Sequence, residues 1–393
     1  MKKSLIALAA LAATGAFAQS TVTLYGLADI AYGAHKTTSR DGTAFTKTGG
    51  VMDGSHAGSR IGFRGTEDLG GGLKASFVIE QGISPTQPEA FNIRVGSNAH
   101  QIAGNNTHTT GNSRQTFLGL AGGFGEVRIG YQYTNSYALV AFNGANPTEF
   151  QGGNYQNSFH ANGGRANMIT YMAPEFVKGL ALTAQIGQGG GRGTVESNAA
   201  AGGNGFTKNN NAYTSLSALY KAGPLTAGMV YSKADVTQSN AIGATVTNAF
   251  GVVGTAATAA IANAATREQK GTHIIASYNL GMARVAATIV DGSNGGTSSV
   301  TAATKTKAQQ FAVYVPFGAA EAFVSTGART DKVSGAATNA VDSKGNTFGV
   351  RYNLSKRTVV YAFSGTDKDN GKTTAAAAGY KDTKTAVGVA HSF

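Results

Sequence analysis

The sequence predicts an all-β protein, a 16-stranded antiparallel transmembrane β-barrel with short periplasmic turns and long extracellular loops. Three observations predict it. Segments of roughly ten residues alternate apolar with polar side chains, and their connections are alternately short and long. Beyond the N-terminus no window reaches the roughly 18 continuous apolar residues of a spanning helix. The chain starts with an export signal: Met1-Lys2-Lys3 is basic, Leu5 to Ala13 is apolar, and Ala16-Phe17-Ala18 is a small-residue cleavage site. Residues 1–18 are therefore expected to be a signal peptide and 19–393 the barrel. Removing Lys2 and Lys3 takes the formal net charge from +12 to +10.

Composition agrees with a single large unit outside the cytoplasm. The chain has no cysteine, so no disulfide framework supports it, and only 6 prolines, with no linker dividing it. Glycine, at 55 residues, is abundant and tryptophan is absent. Only alternate residues of a membrane strand need be apolar, which keeps the mean hydropathy close to neutral at −0.11.

The first strand, Thr21 to Tyr32, puts Val22, Leu24, Gly26, Ala28 and Ile30 on one face and Asp29 on the other, and a polar loop to about Gly58 should follow. Ser59 to Gln81 reads as a hairpin turning at Asp68-Leu69-Gly70-Gly71-Gly72. Its Ile61, Phe63, Phe77 and Ile79 oppose Arg60, Arg64 and Lys74. Another polar stretch leads to a hairpin from Arg114 to Gln132 that turns at Gly122-Gly123-Phe124-Gly125. Five more hairpins are expected over Ala166–Gly187, Ala212–Val236, Thr272–Asp291, Ala308–Thr330 and Asn346–Asp367, and a last strand over Lys384–Phe393. The Ala-rich piece Ala256 to Ala265 is a candidate for a turn or two of helix. One strand, seven hairpins and one strand make sixteen, an even number that closes without an edge.

The apolar face must meet lipid, because an arginine at the bilayer midplane costs roughly 2–4 kcal/mol. Arg60, Arg64, Lys74, Arg128, Arg284, Arg351 and Lys384 therefore face the lumen or its ends. Asp29 and Glu80 are expected to pair with neighbouring cations. Sixteen strands are wide enough to hold water, so the barrel reads as a pore.

In this order and spacing the motifs resemble the Gram-negative general porins, most closely the betaproteobacterial type. The matching pieces are Val22-Thr23-Leu24-Tyr25-Gly26 with Asp29, the run Ser59 to Ala75, Gly119-Leu120 through Gly123-Phe124-Gly125 to Gly130, Tyr171-Met172-Ala173-Pro174-Glu175-Phe176, Tyr352-Asn353-Leu354-Ser355-Lys356-Arg357-Thr358, and His391-Ser392-Phe393. The resemblance implies a homotrimer, passive diffusion of small hydrophilic solutes, and a third long loop, roughly Tyr133 to Gly164, folded into the barrel. It implies that Arg60, Arg114 and Arg165 form the arginine cluster of anion-selective members at the pore constriction, across from Glu149, the one acid of that loop. Arg64, Lys74, Glu80, Arg128 and Arg351 would be other lumen-facing charges. Arg165 stands six residues before Tyr171, an even spacing where the family usually has an odd one, and Tyr131 stands where the family often has arginine. Phe393 resembles the C-terminal assembly signal of outer-membrane proteins.

The implied partners are further copies of the chain, outer-membrane lipids and lipopolysaccharide, the outer-membrane assembly machinery, and small anions and hydrophilic solutes. No cofactor or metal is implied. The 7 histidines lack metal-ligand spacing and no hydrolase motif is present, which weighs against a barrel enzyme. The cations alternate on strand faces instead of forming a patch interleaved with aromatics, which weighs against nucleic-acid binding. No fixed repeat supports a solenoid adhesin.

Overall fold

The computed structural model describes residues 21–39, 42, 45–86, 113–148, 164–188, 196–198, 206–208, 212–238, 265–295, 303–334, 339–370 and 380–393. The expected signal peptide, Glu149 and the Ala-rich piece up to residue 264 lie outside the described residues. The strands are β1 (Thr21–Ser39), β2 (Phe45–Asp53), β3 (Arg60–Gly70), β4 (Leu73–Gly82), β5 (Ser113–Gly122) and β6 (Gly125–Tyr133). After the helix α1 (Asn135–Asn143) come β7 (Arg165–Met172), β8 (Leu180–Gln188), and the short pair β9 (Glu196–Asn198) and β10 (Phe206–Lys208). Then follow β11 (Ala212–Ala222), β12 (Leu225–Gln238), β13 (Ala265–Asn279), β14 (Arg284–Asn294), β15 (Thr304–Phe317), β16 (Ala320–Val333), β17 (Asn339–Asn353), β18 (Thr358–Asp369) and β19 (Tyr380–Ser392).

Each wall strand pairs antiparallel with its neighbours, and β1 closes the ring on β19, with Leu27 opposite Ser392 and Ser39 opposite Tyr380. The other edge of β1 is covered twice: Ile30 to Thr38 pair with β2, and Thr21 to Leu27 pair with β3. β2 and β3 are thus two halves of one wall strand, interrupted by residues 54–59. Counted so, the wall has sixteen strands. Residues 33–58, expected as a polar loop, instead hold the end of β1, all of β2 and this inserted segment. The sequence hides the ladder because Lys36, Thr37, Thr38, Thr46 and Lys47 offer no apolar alternation, while their backbone groups still pair.

Exposed apolar side chains run around the barrel with period two, among them Leu24, Phe63, Ile79, Leu118, Ile129, Ile186, Met229, Ile274, Phe311, Phe348 and Val387. This is the outer band. The inner face of the same strands carries buried polar groups such as Gln185, Ser215, Thr288 and Gln310. At the β3–β4 turn Gly70, Gly71 and Gly72 all take positive φ (81°, 60° and 80°), a conformation that other L residues rarely adopt. Three consecutive glycines are therefore what permits so abrupt a reversal.

Candidate functional site: an arginine cluster in the barrel lumen

Glu80 is the centre of the site. It lies on the inner face of β4, out of phase with the exposed Ile79, and is only 5% exposed. Arg114 donates Nε–H to its Oε1 at 2.7 Å, Arg60 brings its Nε to 3.8 Å of Oε2, and Tyr25 donates its hydroxyl at 3.0 Å. Glu80, taken from the sequence as one lumen charge among several, is thus the acid between the arginines. Cross-strand geometry explains it. Gly62 sits directly opposite Glu80 and carries no side chain to fill the space between.

Arg114 reaches this point through a register shift. In strict alternation it is in phase with the outward Leu118 and Leu120, and would point at lipid. Glu80 pairs with Gln115 but Gln81 with Ser113, so Arg114 is the extra residue of a β-bulge that turns its side chain inward. Its Nη2 donates to the Tyr133 hydroxyl at 2.7 Å, and that hydroxyl in turn lies 3.5 Å from Glu80 Oε1. Gly58 leaves room beside it: a Cβ there would come within 2.9 Å of Arg114 Nη1.

Arg165 joins through the same tyrosine. It opens β7 opposite Tyr133, in phase with outward residues as its spacing to Tyr171 indicates. At the strand end, however, its guanidinium lies over the Tyr133 ring at 4.7 Å and the Tyr137 ring at 5.5 Å, with Nη2 3.5 Å from the Tyr133 hydroxyl. Tyr133 and Tyr137 stack with centroids 4.9 Å apart. Tyr25, Tyr133 and Tyr137, not singled out from the sequence, therefore organise the arginines. Their signal was weak, since an aromatic beside a strand end is common in any barrel.

The third long connection folds inward over residues 135–148. Thr134 caps α1, accepting from the Tyr137 backbone N–H at 3.3 Å. Asn135 donates its backbone N–H to Gln185 Oε1 at 2.7 Å and its side-chain amide to Ser215 Oγ at 2.8 Å. Leu139 and Val140 pack on Val230 and Ile275, and the Ala145 N–H donates to Thr288 Oγ1 at 3.1 Å. These partners lie on the face opposite the exposed apolar band, so α1 is seated on the lumen wall. No charged side chain occurs in residues 135–148.

Residues 54–59 make a second inward element, on the same side as the arginines. Asp29, fully buried, accepts from the backbone N–H groups of His56 and Ala57 at 2.7 and 2.8 Å and from the Tyr361 hydroxyl. The expected cation pairing of Asp29 is replaced by these donors, because the inserted segment brings unpaired backbone N–H groups to it. The segment then delivers the Gly58 carbonyl to Arg60 Nη1 at 3.1 Å.

The remaining lumen cations are held differently. Arg128 makes a two-point pair with Glu126 at 2.7 and 2.9 Å, and Arg351 pairs with Glu321, while Arg284 lies 3.7 Å from the centroid of Tyr314. Arg64 lies over the Tyr25 ring at 5.1 Å. Lys74 faces Asp68 across the β3–β4 ladder. The arginine cluster differs from these pairs in having two arginines on one carboxylate and a third joined to them through Tyr133.

A family model described as Gram-negative porin matches residues 4–373. The chain belongs to the Gram-negative porin family. This porin is 39% identical over 189 residues to outer membrane porin protein 32 of Delftia acidovorans, a stretch covering 45% of this chain and 47% of that one. The alignment thus spans about half the length of that relative. The fold matches an anion-selective porin from Comamonas acidovorans with TM-score 0.66 at 22% identity, covering 95% of this chain and 100% of that one. It also matches OmpT of Vibrio cholerae in its trimer form, with TM-score 0.61 at 14% identity over 95% of this chain and 99% of that one. The family places the barrel in the outer membrane.

Proposed function

We propose that this porin is a general diffusion channel of the outer membrane that favours anions. The observation that carries the reading is the imbalance at the cluster: among the described residues Arg60 and Arg114 pair with Glu80, and Arg165 joins them through Tyr133, three positive charges to one negative. In a confined aqueous passage with low-dielectric walls such charge raises the local concentration of counter-ions. The seated, uncharged α1 narrows the passage without opposing that field. Family and fold support a channel over an enzyme, and no bond is made or broken. Transport is electrodiffusion of small hydrophilic solutes down their gradients.

The quaternary reading is a homotrimer, supported by the likeness to the trimeric OmpT fold. Residues 1–18 act as the export signal, so N-terminal sequencing of the mature protein should start at Gln19. Phe393 serves as the assembly signal. It closes the ring through paired backbone hydrogen bonds with Gly26, at 3.0 and 3.2 Å.

The test is the zero-current potential of the reconstituted protein across a KCl gradient. The wild type should favour chloride, and Arg60→Ala/Arg114→Ala should lower the chloride-to-potassium permeability ratio by about threefold, one kT of potential. Cation preference in the wild type, or an unchanged ratio in the double variant, contradicts the reading.

A further inference from the structure

Asp29 is fully buried on the inner face of β1, and both ends and the middle of the inserted segment 54–59 are bonded to it. At one end the Gly54 N–H donates to the Asp29 carbonyl at 3.2 Å. At the other, Ser59 Oγ accepts from the Asp29 N–H at 2.9 Å and donates to the Asp29 carbonyl at 3.3 Å. Between them the His56 and Ala57 N–H groups both donate to Oδ2, at 2.7 and 2.8 Å, while the Tyr361 hydroxyl donates to Oδ1. Gly54, Ser59, His56 and Ala57 are thus all anchored on one residue of β1, and Gly54, at φ 63°, makes the turn by which the chain leaves β2.

The other end of this arrangement meets the arginines. The Gly58 carbonyl accepts from Arg60 Nη1 at 3.1 Å, a shorter contact than the 3.8 Å from Arg60 Nε to Glu80. Gly58 also packs its backbone beside Arg114, where a Cβ would come within 2.9 Å of Nη1. A carboxylate that accepts from backbone N–H groups makes charge-assisted bonds, roughly twice as strong as neutral ones. Asp29 itself does not reach the passage, since none of its surface is exposed.

We propose that Asp29 is a positioning residue for ion selectivity: through segment 54–59 it fixes Arg60 and keeps backbone, in place of water, beside Arg114. The proposal deepens the anion-favouring reading of the arginine cluster and rests on it. The direction of the effect separates it from a simple charge role. As one more acid of the lumen, Asp29 would oppose anions, and its removal would raise the chloride-to-potassium ratio. As an anchor it does the opposite, because its loss frees the segment, admits water beside the arginines and weakens their field.

The experiment measures the zero-current potential in a KCl gradient and the single-channel conductance of the reconstituted full-length porin. Asp29→Ala should lower the chloride-to-potassium ratio about twofold, less than the loss of both arginines because the cations are loosened and not removed, and should raise conductance. Asp29→Asn should stay closer to the wild type, since its amide oxygen can still accept from His56 and Ala57. Ser59→Ala/Tyr361→Phe changes no charge and keeps the carboxylate; it should lower the ratio in the same direction, and it serves where Asp29→Ala does not fold. In the Arg60→Ala/Arg114→Ala background Asp29→Ala should no longer lower the ratio. Each shift is read against the wild type, so potassium preference of the wild type contradicts the selectivity reading, whereas the shifts test the positioning role. A ratio that Asp29→Ala raises or leaves unchanged, or that Ser59→Ala/Tyr361→Phe leaves unchanged, overturns the proposal.

Discussion

Arg60 and Arg114 share the carboxylate of Glu80 but differ in exposure, with side chains 29% and 12% accessible. Arg114 is locked by Glu80 and Tyr133, so its removal leaves the buried carboxylate to the Tyr25 hydroxyl and the longer Arg60 contact, a change costing up to about 3–5 kcal/mol. Arg60 makes a long, partly hydrated pair worth about 0–1 kcal/mol. Arg60→Ala should therefore lower anion preference while leaving the heat-induced unfolding temperature nearly unchanged, whereas Arg114→Ala lowers both. Glu80→Gln should act in the opposite sense, raising the chloride-to-potassium ratio by removing the negative charge that Arg60 and Arg114 share. A fall in that ratio would show that Glu80 acts by positioning Arg114 and not through its charge. Alternation identified Arg60 and Glu80 as inward residues. It said nothing of Arg114, which only the family resemblance placed at the constriction, because a bulge is a property of two paired strands and has no signature in either one.

The same distinction holds for whole elements. Hairpins from Ser59 onward were legible because apolar residues alternate where strands cross lipid. Their long-loop ends were not: β13 starts at Ala265 instead of Thr272, and β17 at Asn339 instead of Asn346. There the ladder continues above the bilayer, where outward residues such as Lys270 and Lys344 need not be apolar. The inserted segment 54–59 was hidden for a further reason, since its shape depends on Asp29 and Tyr361, which are remote in sequence and meet only after closure. Helix α1 is too short to stand alone and depends on its seat in the lumen. Val140→Asp would place an unpaired carboxylate against Val230 and Ile275, costing several kcal/mol. Single-channel conductance should then rise as α1 leaves the wall, and an unchanged conductance would show that α1 does not limit the passage.

For the whole molecule, closure of the ring links stability to its last residue. A Cβ at Gly26 would fall 2.2 Å from Phe393 Cζ, so Gly26→Ala must displace the terminal ring. The expected cost is about 1–3 kcal/mol, seen as a lower temperature for loss of the compact, heat-modifiable form. The barrel class itself was legible at this scale, because an even count of amphipathic strands behind an export signal has few other solutions. The field inside the barrel was less so, since it depends on which cations find acids: Arg128 and Arg351 do so one to one, and the cluster at Glu80 does not. The most direct test of the account is therefore the zero-current potential of the wild-type porin in KCl gradients at low and high ionic strength. The account predicts chloride preference that weakens as the screening length falls from about 10 Å near 0.1 M to about 3 Å near 1 M. A preference for potassium at low salt, or a selectivity indifferent to salt, would contradict it.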